Sequence, residues 1–177
     1  KTLTEAQVEA LLAAPDTSLA LGVRDRTMLE LMYASGLRVS ELVTLKTFNV
    51  SLNDNVLRVM GKGSKERLVP FGEVASGWLR QYLGGARAEL LAGKQTDDLF
   101  ITVRGTNPGT AMSRVMFWMV VNNYAQAAGI HAFKHTQTLV PQQTRVQLPM
   151  TNIHAHNIGR ATAQQTVAKA ARGLAHI

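Results

Sequence analysis

The stretch NVLRVMGKGSKERLVPF, Asn55 to Phe71, is where the periodicity of this sequence changes. Val56, Arg58 and Met60 fall on one face of an alternating run and Leu57 and Val59 on the other. Leu68 to Phe71 supply a return strand, and Gly61 and Gly63 interrupt the pattern between the two. The reading is a β-hairpin with a basic, glycine-containing turn. That turn is not a nucleotide-binding P-loop, which needs GxxxxGK followed by Ser or Thr at the start of a helix. Lys62 and Lys65 project from it. Such a turn is either a solvated tip or an arm that lays an ammonium against a phosphate.

Outward from the hairpin the pattern is helical. Thr4 and Gln7 read as a capping box, with Leu3 and Val8 spaced for a hydrophobic staple, so the first helix runs towards Pro15. A second helix is expected from about Asp25, with Met28, Leu31 and Met32 on one face and Gly36 as its C-cap. A third spans Val39 to Leu45. Beyond the hairpin, helices are expected over 73–83 and 86–91, a short strand over Leu99–Val103, and a long helix between Ser113 and Gly129. Trp78 and Trp118 fall at helical core spacing. There are no internal repeats and no low-complexity linkers. The fold class is α+β and mainly helical: a helical bundle with a small antiparallel sheet at one edge.

Bulk properties narrow the function. The 177 residues suffice for one domain with a real core. No stretch of eighteen uncharged apolar residues exists, so no membrane partner is expected. The first residues lack a signal-peptide pattern and there is no cysteine, from which a cytoplasmic protein without disulfides, thiolate catalysis or cysteine-bound zinc is expected. A net charge of +7 points to a polyanion, nucleic acid before membrane surface. The charge is unevenly placed. Residues 1–130 carry 14 Lys and Arg against 12 Asp and Glu, whereas residues 131–177 carry 5 Lys and Arg, no acid and all 5 histidines. The organisation read from this is a core over 1–130 and a divergent C-terminal segment of the same domain over 131–177.

One arginine needs explaining. In YASGLRVSELVTLKTFNV, Tyr33 to Val50, Arg38 follows a helix-stopping glycine and has apolar residues on both sides. A permanently charged guanidinium in such surroundings needs a partner or an anionic ligand. With the hairpin VMGKGSKERLVPF after a short spacer, this stretch resembles the catalytic domain of the Xer-type tyrosine recombinases and phage-type integrases. The resemblance extends along 1–130, including LTEAQVEALL at the front and AAGI at the end of the long helix.

The resemblance implies DNA strand cleavage and rejoining. A tyrosine hydroxyl attacks the scissile phosphate, leaving a 3′-phosphotyrosyl link and a free 5′-hydroxyl, with no metal or other cofactor. Positive side chains must then stabilise charge developing on the phosphate oxygens. Arg38 matches the first arginine of such a site, Glu41 would orient it or a neighbour, and Lys62 matches the general acid that protonates the leaving oxygen. Lys65, Arg67, Arg58 and Arg114 are expected to touch the duplex. The implied partners are duplex DNA and other recombinase protomers. The family's separate DNA-clamping domain is not expected within these residues.

The last quarter departs from the pattern. HAFKHT, His131 to Thr136, resembles the family's HxLRHT motif with Lys134 in the arginine position, and His156 lies near the place of a later histidine. Gln165 and Thr166 stand where the nucleophile should be, and the tyrosines are Tyr33, Tyr82 and Tyr124. His131 and His135 have metal-ligand spacing, but the segment holds no carboxylate to complete a site, so no metal is expected. A degraded, frame-altered or recombined end would each account for the segment. Three functions follow: a recombinase domain impaired by the missing tyrosine, a non-catalytic DNA-binding or recombinase-partner module, and a basic helical protein–protein module that leaves both motifs unexplained.

Overall fold

Thr4 opens the first helix, α1 (Glu5–Ala13), and closes its capping box: its side chain accepts from the Gln7 N–H at 3.3 Å, and the Gln7 side chain accepts from the Thr4 N–H at 3.0 Å. Leu3 and Val8 are both buried in the core. The computed structural model describes residues 3–61 and 65–130. Among them no helix is long and apolar enough to cross a membrane.

The second helix, α2 (Ala20–Ser35), begins five residues before the expected Asp25. A local turn sets its start. Asp16 Oδ1 accepts from both the N–H and the hydroxyl of Ser18, and the Leu19 N–H donates to the Asp16 carbonyl. Gly22 then packs directly against the Asp16 backbone, where a Cβ would fall 1.8 Å from the carbonyl oxygen. The glycine that weakens helical propensity is what allows this approach. The helix ends as expected at Gly36, whose left-handed backbone (φ 61°, ψ 27°) caps it. Residues around almost its whole circumference are buried, so α2 is the central helix of the fold.

After α3 (Val39–Val43), shorter by a few residues than expected, a 3₁₀ turn leads into a three-stranded antiparallel sheet. Its order is β1 (Val50–Ser51), β2 (Val56–Met60), β3 (Glu66–Pro70). The hairpin of the sequence reading is β2–β3, with Val56 opposite Pro70 and Met60 opposite Glu66. The return strand starts two residues before Leu68, and the edge strand β1 was not foreseen because two residues carry no periodicity. Leu57 and Val59 are buried in the core, and Val56 is buried as well despite lying on the Arg58 face.

The two helices expected over 73–91 form one rod in the structure: α4 (Glu73–Gln81) and α5 (Arg87–Leu91) joined by a π-helical turn over Tyr82–Ala86. Leu99 to Val103 is not a strand. It makes one isolated bridge, Ile101 with Ala111; backbone bonds to Leu45 and to Gly109–Met112 serve part of it, and side chains meet several of its carbonyls and those just before it. Arg87 donates to the carbonyls of Thr96, Asp98 and Leu99, Tyr82 to Leu99, and Arg24 to Ile101. These apolar residues lie in the core with their polar backbone satisfied from outside the segment, which an alternating pattern alone cannot distinguish from a strand. The long helix, α6 (Arg114–Ala127), follows the reading, with Ser113 capping the Met116 N–H at 3.1 Å. Trp78 and Trp118 are only half-buried; Trp78 carries the Arg26 guanidinium 5.1 Å above its ring.

Candidate functional site

Arg38 is the N-cap of α3, with extended backbone (φ −69°, ψ 148°). Side chains along extended backbone point alternately to opposite sides. Leu37 and Val39 therefore go into the core, while the Arg38 side chain stands 62 % exposed. The apolar neighbours in sequence are not neighbours of the guanidinium. The charge is not buried: the guanidinium is mostly exposed, with one long contact to Glu41, and the backbone is the more firmly anchored part.

The anchor is Glu41, itself 8 % exposed. Its Oε2 accepts from the Arg38 backbone N–H at 2.9 Å, an N-cap to N3 bond of the capping-box kind. Its Oε1 lies 3.4 Å from Arg38 Nη1. The stronger contact comes from the hairpin. Arg67 of β3 grips both oxygens, Nη1 to Oε1 at 3.0 Å and Nη2 to Oε2 at 2.9 Å. Burial alone would push the Glu41 carboxyl up. The Arg67 hydrogen bonds, the Arg38 N–H and the two guanidinium charges outweigh it and hold the group below its ordinary 4.5. Glu41 in turn raises the affinity of Arg67 for its proton.

Beside this cluster, Arg58, Glu66, Arg67 and Leu68 line an open groove of about 280 Å³. Arg58 and Glu66 form a loose pair at 3.9 Å across the two strands. Lys65 and Arg114 are exposed, Arg114 as the first residue of α6. The structure thus brings Arg38, Glu41 and Arg67 into contact and sets Arg58 at the same sheet. The pairing of Arg67 with Glu41 was missed because the two lie 26 residues apart and on elements of different type. A sequence signal existed only for the local half, the three-residue spacing from Arg38 to Glu41. Lys62, His131, Lys134 and His156 lie outside the described residues, as does His135.

Two of the three tyrosines have hydrogen-bond acceptors within the fold. Tyr82 is fully buried, stacks on Phe100 and donates to the Leu99 carbonyl at 2.9 Å; burial pushes its hydroxyl up to about 12. Tyr124 donates to Asp25 Oδ2 at 2.9 Å, and burial followed by the Asp25 charge raises it further from its ordinary value. Tyr33 is raised as well, first by burial and then by Glu5. None of the three is poised as a phenolate.

A mainly helical domain that carries an antiparallel hairpin is the fold of known recombinases. The chain superposes on XerA recombinase with a TM-score of 0.57 at 22% identity, covering 73% of this chain and 44% of that one. It superposes on the XerH site-specific recombinase, solved as a post-cleavage complex with its palindromic difH substrate, with a TM-score of 0.59 at 23% identity, covering 73% and 36%. These two likenesses are of fold. The sequence profile of the phage integrase family matches residues 1–167, and the chain belongs to that family. Within the family it is similar to the tyrosine recombinases XerD. The protein of Ralstonia nicotianae is 57% identical over 140 residues, 78% of this chain and 44% of that protein. That of Pseudomonas aeruginosa is 52% identical over 141 residues, 76% and 46%. The chain spans less than half the length of these curated relatives.

Proposed function

We propose that this chain is the DNA-contacting catalytic domain of a site-specific tyrosine recombinase, and that the 177 residues by themselves do not complete strand cleavage. The observation that carries the reading is Arg38: its backbone is pinned by Glu41 while its guanidinium is left open to solvent. A rigidly rooted, accessible guanidinium suits a phosphate, to which it offers paired donors. Lys62 would protonate the 5′-oxygen as it leaves, and Arg58, Lys65 and Arg114 would hold the duplex backbone. His131, Lys134 and His156 would complete the charge around the phosphate. Other protomers are the expected partners, and a DNA-acting protein of this kind is placed in the cytoplasm.

Cleavage in this chemistry forms a bond between phosphorus and a phenolic oxygen and releases a 5′-hydroxyl. The chain holds no tyrosine beyond Tyr124, and the hydroxyls of Tyr82 and Tyr124 already have internal acceptors. Thr166 offers a far less acidic hydroxyl on a much shorter side chain. Lys134 presents a point charge where two parallel donors are wanted. Strand transfer would then need a tyrosine from outside these 177 residues, such as one from another subunit. The second reading, a DNA-binding or partner module without catalysis, rests on the same missing residue.

Two measurements test this. Affinity for duplex DNA should fall steeply with added salt, and salt-independent affinity would rule out a phosphate-contacting face. A suicide substrate nicked near the cleavage point should trap no covalent adduct with this chain. A protein–DNA band would overturn the claim of inactivity, and mapping the linked residue would identify the nucleophile.

A further inference from the structure

Arg67 was expected to touch DNA, yet both its terminal nitrogens are engaged by Glu41. A second observation shows what that grip holds. Gly61, the residue at the root of the basic turn, donates its N–H to the Lys65 carbonyl at 2.8 Å. A Cβ at Gly61 would sit 3.2 Å from the Lys65 oxygen and 3.4 Å from Arg67 Nη1. A side chain at Gly61 would need the Lys65 carbonyl to give by a few tenths of an ångström. A continuous path runs from the Arg38 backbone through Glu41 to Arg67, and two residues back along the chain to Lys65, whose carbonyl takes the Gly61 N–H.

We propose that Arg67 is a positioning residue: its paired bonds to Glu41 fix the root of the basic turn to the start of the Arg38 helix, and it contacts no phosphate itself. What is being positioned, a turn and an arginine that act on one phosphate, rests on the function proposed above. The tether itself does not, and it can be read without DNA.

Hydrogen exchange at the Gly61 amide in the DNA-free protein reads the tether. Arg67→Gln and Glu41→Gln should each speed exchange about fivefold, the order expected for loss of a half-exposed but bidentate pair. The double variant should be no faster than either single one, because both break the same link. Arg67→Lys should restore part of the protection, since an ammonium makes one of the two contacts. The Arg38 amide proton resonance should shift in Arg67→Gln, as its acceptor Glu41 is released. Unchanged exchange at Gly61 in Arg67→Gln would overturn the proposal. Gly61→Ala should loosen the turn in the same way, and a fully protected Gly61→Ala turn would equally count against it.

The second arm uses the charge-neutral double variant Glu41→Gln, Arg67→Gln in duplex binding. The slope of log affinity against log salt should stay as in the parent chain. A slope shallower by about 0.9 would mean that a phosphate contact was lost and that Arg67 touches DNA. Should the parent chain bind no duplex at all, the function proposed above fails while the exchange result still decides the tether.

Discussion

Two clusters in this molecule are built from arginine and a carboxylate, and they differ in what is left over. In the first, Arg24 and Asp25 are both about 4% exposed and bonded at 2.6 Å. Asp25 takes Arg24 on one oxygen and Tyr124 on the other, and Arg24 gives its remaining bond to the Ile101 carbonyl. Every element it meets, α2, the 99–102 segment and α6, is locked by it. In the second, Glu41 is buried but its arginines are not, Arg38 at 62% and Arg67 at 43% side-chain exposure. The first cluster is closed and the second is open. A closed buried pair serves the fold, whereas an open one keeps donors for a partner.

Substitutions in the two clusters should separate accordingly. Asp25→Ala leaves a buried guanidinium without its counter-charge and should cost about 3–5 kcal/mol in denaturant unfolding. An effect under about 1 kcal/mol would show that Arg24 can reach water and that the cluster is not closed. Tyr124→Phe removes one hydrogen bond to a charged acceptor and should cost about 1.5–3 kcal/mol, with α6 released more than α1 in hydrogen exchange. Uniform loss across both helices would mean that Tyr124 does not act locally.

The open cluster should show itself in pH dependence. The folded-state value of Glu41 lies below the ordinary 4.5, so its contribution is complete above about pH 4.5. It is lost as pH falls through the depressed folded value. Glu41→Gln should therefore cost roughly 1 kcal/mol at neutral pH and flatten the acid limb of the stability curve. An acid limb of unchanged steepness would show that Glu41 is not the group titrating there. Asp98 is held low too, by Lys46 at 2.5 Å and Thr96 against the effect of burial, and it should keep part of that limb in the variant. The smallest effect is expected at Arg38. Arg38→Ala should change stability by less than about 0.5 kcal/mol while weakening duplex binding and its salt slope. Destabilisation as large as that of Asp25→Ala would erase the contrast between the two clusters.

The parts of the fold that were legible in the sequence are those set by near neighbours. The Thr4–Gln7 box, the Gly36 cap, the Ser113 cap and the β2–β3 hairpin each depend on residues within a few positions of one another. The contact between Arg38 and Glu41 was likewise legible, because its capping bond spans three residues. What sequence could not show is decided by contacts over long separations. The start of α2 depends on Gly22 meeting the Asp16 backbone, and the 99–102 segment is held by Arg24, Tyr82 and Arg87 together with isolated backbone bonds to Leu45 and 109–112. Whether an arginine is free or paired follows the same rule. Residue type placed Arg38 and Arg67 together as cations for DNA, but only the tertiary structure gave Arg67 a two-bond grip on Glu41 and left Arg38 mostly exposed with a single long contact to it. Charge is a property of the residue; its availability is a property of the surface that tertiary packing leaves around it.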